Sequence, residues 1–332
     1  MRGMRLSLCV AALSLLFAVS GFSRLYGAEP SSRIAHLGVV YTVSRSAVSI
    51  GYTVDFWERL RELGWQRDKN LLVEERYAEG ELSRMPVLMK EVVAHKVDVI
   101  LTTTEAGALA ARRTTQTIPV VATSLGDPVS MGLASSLSRP GGNVTGLSLQ
   151  RVESMGKTLE LVREVVPRLS AVAVLWNPDS PLSQMQLREL ETKARAHGIK
   201  VYLAQIRSRG DFATAFDHAR SHAQAAVVLS NPVTYEHRHE VTSYATKYRL
   251  PAAYNNIEFV SDGGLIAYAA DLRVMYRRAA DYVDKILKGA NPAELPIEQA
   301  TEYKLAVNLK AAKALGITIP ESILLRADEV IR

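Results

Sequence analysis

Val97–Thr123 reads VDVILTTTEAGALAARRTTQTIPVVAT. Its first part, VDVILTT, is a short apolar run rich in β-branched residues, the composition of a strand buried on both faces. Glu105–Arg113 is an alanine-rich helix former, and Ile118–Thr123 (IPVVAT) is apolar and β-branched again. A strand, a helix and a second strand in so short a span make a parallel crossover unit. Upstream, Ile34–Tyr41 (IAHLGVVY) and Leu71–Tyr77 read as strands. Phe56, Leu60 and Leu63 fall on one helical stripe that Gly64 can stop, and Leu82, Met85, Leu88, Met89, Val92 and Val93 mark another helix. Downstream, Ser138–Asn143 (SRPGGN) is the strongest turn cluster in the chain.

Beyond that turn the same grammar restarts. Strands are expected at Val144–Leu149, Ala171–Trp176, Ile199–Ile206, Ala225–Ser230, Leu250–Tyr254 and Ile266–Ala269. Between them, Leu159, Val162 and Val165, then Leu187, Leu190 and Ala194, line helices, with further helices at Phe212–His222 and Tyr235–Tyr248. The alternation predicts an α/β fold of two doubly wound parallel-sheet lobes, split near Gly142. A chain of 332 residues with 48% hydrophobic composition is long enough to divide its core in this way.

The N-terminus carries Arg2 and Arg5, an uncharged apolar run from Leu6 to Phe22, and then small residues. This is the order of a cleavable secretory signal, expected over residues 1–28, with Ser20, Gly21 and Ala28 as cleavage points; an uncleaved anchor is the alternative. Cys9, the one cysteine, lies inside that segment, so the mature chain would hold no thiol. Three arginines and no acid leave with the signal, which takes the formal net charge from +6 to +3. A bias so mild and evenly spread does not call for nucleic acid as a partner.

Ligands of open parallel sheets sit beyond the carboxyl ends of the strands. That rule selects the loops at 42–50, 102–106, 124–130, 177–182, 231–235, 255–259 and 269–273, which are rich in Ser, Thr, Asn, Asp and Tyr. Thr102–Thr104 and Asn177–Ser180 precede helices, and serve either a ligand or only the caps of those helices. Asp127, after a strand and before Pro128, is placed either to meet an amine or to hold a turn. Asp271 follows a strand in the same way, and either joins Asp127 on an amine or caps the helix bearing Met275, Ala279, Val283 and Ile286.

Enzyme chemistry finds little support. There is no G-x-G-x-x-G after the first strand, no P-loop and no G-x-S-x-G elbow. His218 with His222, and His237 with His239, lie in charged amphipathic segments and form no H-E-x-x-H. No catalytic residue, metal or cofactor is expected.

Ten stretches in order across the mature chain carry a family likeness: FWERLRELG (56–64), NLLVEERYA (70–78), VDVI (97–100), IPVV (118–121), GDPV (126–129), SRPGGNVTGL (138–147), VAVLWNP (172–178), RRAADYVDKILKG (277–289), NLKAAKALGITIP (308–320) and LRADEVI (325–331). The chain resembles the ABC transporter substrate-binding protein family, which includes the tryptophan/tyrosine-type periplasmic solute-binding proteins. The resemblance implies a periplasmic-binding-protein type I-like fold with three crossovers, an N-terminal lobe of residues 33–147 plus about 272–332, and a C-terminal lobe of 148–271. It implies Thr103, Thr104, Asp127, Asn177, Ser180, Asn231, Tyr235, Tyr254 and Asp271 as ligand-binding residues. It further implies a periplasmic monomer that captures an amino acid or similar polar or aromatic molecule by lobe closure. Delivery would go to an ABC permease with its cytoplasmic ATPase, and membrane contact would come only through that permease. A binding protein that signals to a membrane receptor, or an exported α/β enzyme, is the alternative. One departure concerns the ligand: Asn177–Leu182 (NPDSPL) stands where the aromatic amino-acid branch carries a Gly-Glu-Ala-Asn-Ser type segment.

Overall fold

The computed structural model describes residues 34–49 and 51–332; the segment read as a secretion signal lies outside them. The strands are β1 Ala35–Tyr41, β2 Leu71–Tyr77, β3 Val99–Thr102, β4 Val120–Leu125, β5 Val144–Ser148, β6 Ala171–Trp176, β7 Lys200–Gln205, β8 Ala225–Val228, β9 Ala252–Tyr254, β10 Ile266–Ala270, β11 Glu298–Gln299, β12 Tyr303–Asn308 and β13 Glu329–Ile331. They form two sheets. One runs β11-β5-β4-β3-β1-β2 and is wholly parallel; the other runs β13-β12-β10-β9-β8-β6-β7 and is parallel except where β12 meets β10.

Strand position explains strand composition. The central strands β3, β4 and β8 are buried along their whole length because helices cover both faces. The edge strand β2 shows only Leu71 fully buried and carries Glu74, Glu75 and Arg76 toward solvent. Alternate residues feed opposite faces. Leu37, Val39, Val99, Leu101 and Val121 pack under helices 53–62 and 272–287, while Val40, Ile100, Val120 and Ala122 pack under helices 85–94 and 105–114. The second sheet repeats the arrangement with Val172, Val174 and Val227 on one face and Ala173, Leu175, Ala226 and Val228 on the other.

Two boundaries differ from the sequence reading. The turn cluster at 138–143 lies inside the first lobe, because β5 runs parallel to β4, Val120 opposite Val144, and the chain leaves the lobe only after Ser148. The C-terminal segment also divides. Helix 272–287 and β11 join the first lobe, whereas β12 and β13 belong to the second sheet, β12 antiparallel to β10 and β13 parallel to β12. The physical reason is core completion: Leu305 and Val307 enter the second lobe's core and cover the open edge of β10. The expected return of 303–332 to the first lobe is therefore corrected.

The chain crosses between the sheets after β5, after β10 and after β11. These crossings are fastened to one another. Tyr303 Oη donates to Leu149 O at 3.1 Å and lies 3.2 Å from Gln150 Oε1. Asp271 N donates to Glu302 O at 3.0 Å, and the Asp271 carboxylate pairs with Lys304 at 2.8 Å.

Gly146 shows how tightly β4 and β5 approach. Its φ is +136°, and a Cβ there would stand 2.1 Å from Ala122 O. Gly146→Ala is expected to destabilise the protein by about 1–3 kcal/mol, read as a lower midpoint in urea unfolding with an unchanged slope.

Candidate functional site

The cleft opens where the carboxyl ends of both sheets face each other. Tyr41, Thr42, Thr103, Thr104, Glu105 and Ser124 line it from the first lobe. Ser180, Leu182, Ser230, Asn231, Tyr235 and Asn256 line it from the second; Arg151 comes from the first crossing and Tyr276 from helix 272–287. The walls are hydroxyls, amides and tyrosine rings, which suit a small polar or aromatic solute. Tyr52, on the loop before helix 53–62, has its ring centroid 4.6 Å from that of Tyr276 and 6.2 Å from that of Tyr235. Burial raises the phenol pKa of Tyr52 and Tyr235, and that of Tyr276 to about 12, so all three remain neutral hydrogen-bonding groups.

Of the nine residues expected from the sequence, the structure brings Thr103, Thr104, Ser180, Asn231 and Tyr235 together in this cleft. Several are already engaged. Thr104 Oγ1 accepts from Gly107 N at 3.4 Å as a helix cap, and Thr103 Oγ1 is 3.4 Å from both Thr42 N and Thr42 Oγ1. Asn231 Oδ1 accepts from Val233 N and Thr234 N while its amide donates to Leu229 O, so it mainly shapes its own loop.

The other four lie elsewhere. Asp127 is exposed and its Oδ1 accepts from Val129 N and Ser130 N, both at 3.1 Å, which is the turn-holding role. Asn177 is buried, accepts from Asp179 N at 2.9 Å and lines a separate outer cavity. Tyr254 is fully buried in the second lobe, stacked on Phe259 with centroids 4.8 Å apart. Asp271 caps helix 272–287 through Arg273 N and belongs to the hinge fastening. Asp127 and Asp271 do not converge on one amine.

Sequence reasoning passed over Arg151, Glu105, Tyr41, Tyr52 and Tyr276. Glu105 carried a faint signal, as an acid at the first position of a helix in one of the selected loops. Tyr276 carried none, because its place on helix 272–287 reads as a core position and only tertiary packing brings it to the cleft. Asn256 lay in a selected loop without being chosen.

Two carboxylates reach across the cleft. Glu105, buried in the first lobe, accepts from Ser180 Oγ at 3.4 Å and is also hydrogen-bonded by the backbone of Leu182, at the start of helix 181–196 in the second lobe. A carboxylate at a helix N-terminus is favoured by the exposed N–H groups and the helix dipole. Burial nonetheless raises its pKa. Glu236, in the second lobe, accepts from Ser44 N at 2.6 Å and from Ser44 Oγ at 2.5 Å in the first. Among the described residues no group of His, Cys, Asp and Glu is arranged to hold a metal, and no helix is long and apolar enough to cross a membrane.

Two α/β lobes joined by three crossings, with a polar cleft between them, define the periplasmic binding protein type I-like class. The family profile described as ABC transporter substrate binding protein matches residues 37–331, and the chain belongs to that family. It is 25% identical over 262 residues to a tyrosine-binding protein of Clostridioides difficile, covering 79% of this chain and 75% of that one. A conserved domain protein of Vibrio cholerae superposes with a TM-score of 0.84 at 27% identity, covering 90% of this chain and 100% of the other. A Streptococcus pneumoniae ABC domain in complex with L-Trp gives 0.83 at 26% identity, covering 90% and 99%.

Because Asp127 holds a turn outside the cleft, Asp127→Ala should lower stability slightly and leave ligand affinity within about twofold of wild type, measured by calorimetric titration. A tenfold loss would return Asp127 to the site.

Proposed function

We propose that this protein is an extracytoplasmic solute-binding protein that captures an amino acid or similar small polar or aromatic molecule by lobe closure and passes it to an ABC importer. The observation that carries this reading is the pair of opposed carboxylate contacts, Glu105 to the start of helix 181–196 and Glu236 to Ser44. Both contacts need the lobes together, and both flank the residues that line the cleft. A ligand that touches both walls adds its own contacts only in that arrangement, and so shifts the population toward it. A micromolar dissociation constant requires about 8 kcal/mol net, which a few charge-assisted hydrogen bonds and apolar contacts in a water-excluded cleft supply. No covalent step is needed, and the reading is of a binder rather than an enzyme.

The amino-acid ligand draws support from the tyrosine-rich, hydroxyl-rich walls and from relatives described as binding tyrosine and L-Trp. Export by the N-terminal segment, action as a monomer and recognition of the closed form by a permease complete the proposal.

Native mass spectrometry of the mature protein from the periplasm, followed by thermal-shift screening against amino acids, tests the reading. A retained or stabilising amino acid supports it, and stabilisation by none counts against it. Glu236→Ala should weaken the bound solute about tenfold, since hydrogen bonds to a charged group contribute about 1.5–3 kcal/mol. The ligand-free melting temperature should move little, because Glu236 acts between lobes and outside either core. Unchanged affinity would remove Glu236 from closure.

A further inference from the structure

The end of the cleft nearest the hinge contains acceptors that nothing in the protein serves. Asn256 Oδ1 lines the cleft, is buried and has no hydrogen-bond partner. Its neighbour Asn255 is different, with Oδ1 accepting from Ser230 N at 2.8 Å. Asn256 instead donates its amide toward Glu258, whose Oε2 is also buried and unpartnered. Buried acceptors without donors are uncommon in native proteins and costly to leave so.

Glu258 faces a second cavity that shares Gly51, Tyr52 and Tyr235 with the cleft, so the two spaces meet at the tyrosines. The Glu258 carboxylate is close enough to Tyr52, Tyr235 and Tyr276 to act on all three phenols. Of the three cations lining that cavity, two are paired with its own acids, and Arg238 also lies 5.1 Å from the Tyr235 ring centroid. Arg238 pairs with Asp262 at 2.7 Å and Lys304 with Asp271 at 2.8 Å, while Arg273 stands at the exposed rim. Arg238 holds the Tyr235 face; the adjoining Tyr52 and Tyr276 rings, beside a carboxylate with no ion pair among the described residues, favour an organic cation. In the cleft itself, Arg151 acts through space on Glu105 and Glu258 and forms no ion pair among the described residues. Glu105 is taken up by the start of helix 181–196, which leaves Arg151 available to an incoming anion.

We propose that the cleft is polarised for an amino-carboxylic acid: Asn256 Oδ1 and the Glu258 carboxylate receive the ligand's ammonium beside Tyr52, Tyr235 and Tyr276, and Arg151 receives its carboxylate. This rests on the solute-binding reading above and assigns its two poles to residues. An ammonium carries the donors that these orphaned acceptors lack, and a carboxylate meets the guanidinium's fork of donors.

The test is calorimetric titration of the mature protein with three probes. These are the tightest-binding of the twenty standard L-amino acids, the matching amine without its carboxylate, and the matching acid without its amino group. For tyrosine they would be L-tyrosine, tyramine and 3-(4-hydroxyphenyl)propionate. Glu258→Gln should weaken the amino acid and the amine at least tenfold and leave the deaminated acid within about twofold. Arg151→Gln should weaken the amino acid and the deaminated acid and spare the amine. If Glu258→Gln fails to fold, Asn256→Ser carries the same expectation, with unfolding curves as the check. Losses equal across the three probes, or no loss, overturn the pole assignment while leaving the amino-acid reading intact. Failure of wild type to bind any of the twenty overturns both.

Discussion

The two lobes are held by three strands of chain that cross at one place and are fastened to one another there. Tyr303 bonds the first crossing, and the Asp271–Lys304 pair with the Asp271 N to Glu302 O bond ties the second to the third. Everything else about the cleft follows from that constraint. Each sheet completes its own core, so the lobes are separate packing units joined by those crossings. The carboxyl ends of both sheets point toward the same gap, and that gap is the cleft.

The proposed closure rests on terms that can nearly cancel. Glu105 is buried between the lobes, which raises its pKa, and the N–H groups and hydroxyl at the start of helix 181–196 offset that cost. Glu236 on Ser44 adds a contact nearer the surface, where solvent competes for it. Closing contacts built from charges that need partners favour a definite geometry more than a large stability. The tyrosines of the cleft supply its apolar area.

Most of the fold was legible because the local signals were strong and agreed. Leu71–Tyr77, Ala171–Trp176 and Phe212–His222 are elements with the boundaries their sequences suggest. Where the reading failed, the deciding term was tertiary. Tyr303–Asn308 (YKLAVN) has no local feature that says which sheet it joins; the exposed edge of β10 decides it. The helix expected over Tyr235–Tyr248 is two helices, 232–236 and 238–247, because Asn231 caps a start at Pro232 and the backbone turns out of helical geometry at His237. For the site, the loops were legible and the choice within them was not. Asp127 and Glu105 each follow a strand, and local sequence does not say which carboxylate will find backbone N–H groups in its own turn and which will find them across the cleft. Arg151 was missed because it looks like an ordinary basic residue after a strand until the hinge places it between the walls.

Solute-driven closure about the three crossings is most directly tested by the distance between spin labels on the two lobes, with and without the retained or screened solute. Cysteines at the exposed positions Lys90 and Arg220 place one label on each lobe, away from the cleft, in a mature chain whose lone natural cysteine would have left with the signal. Closure driven by solute predicts a broad distance distribution in the free protein that narrows and shifts on binding. A single distribution, unchanged by saturating solute, would contradict it.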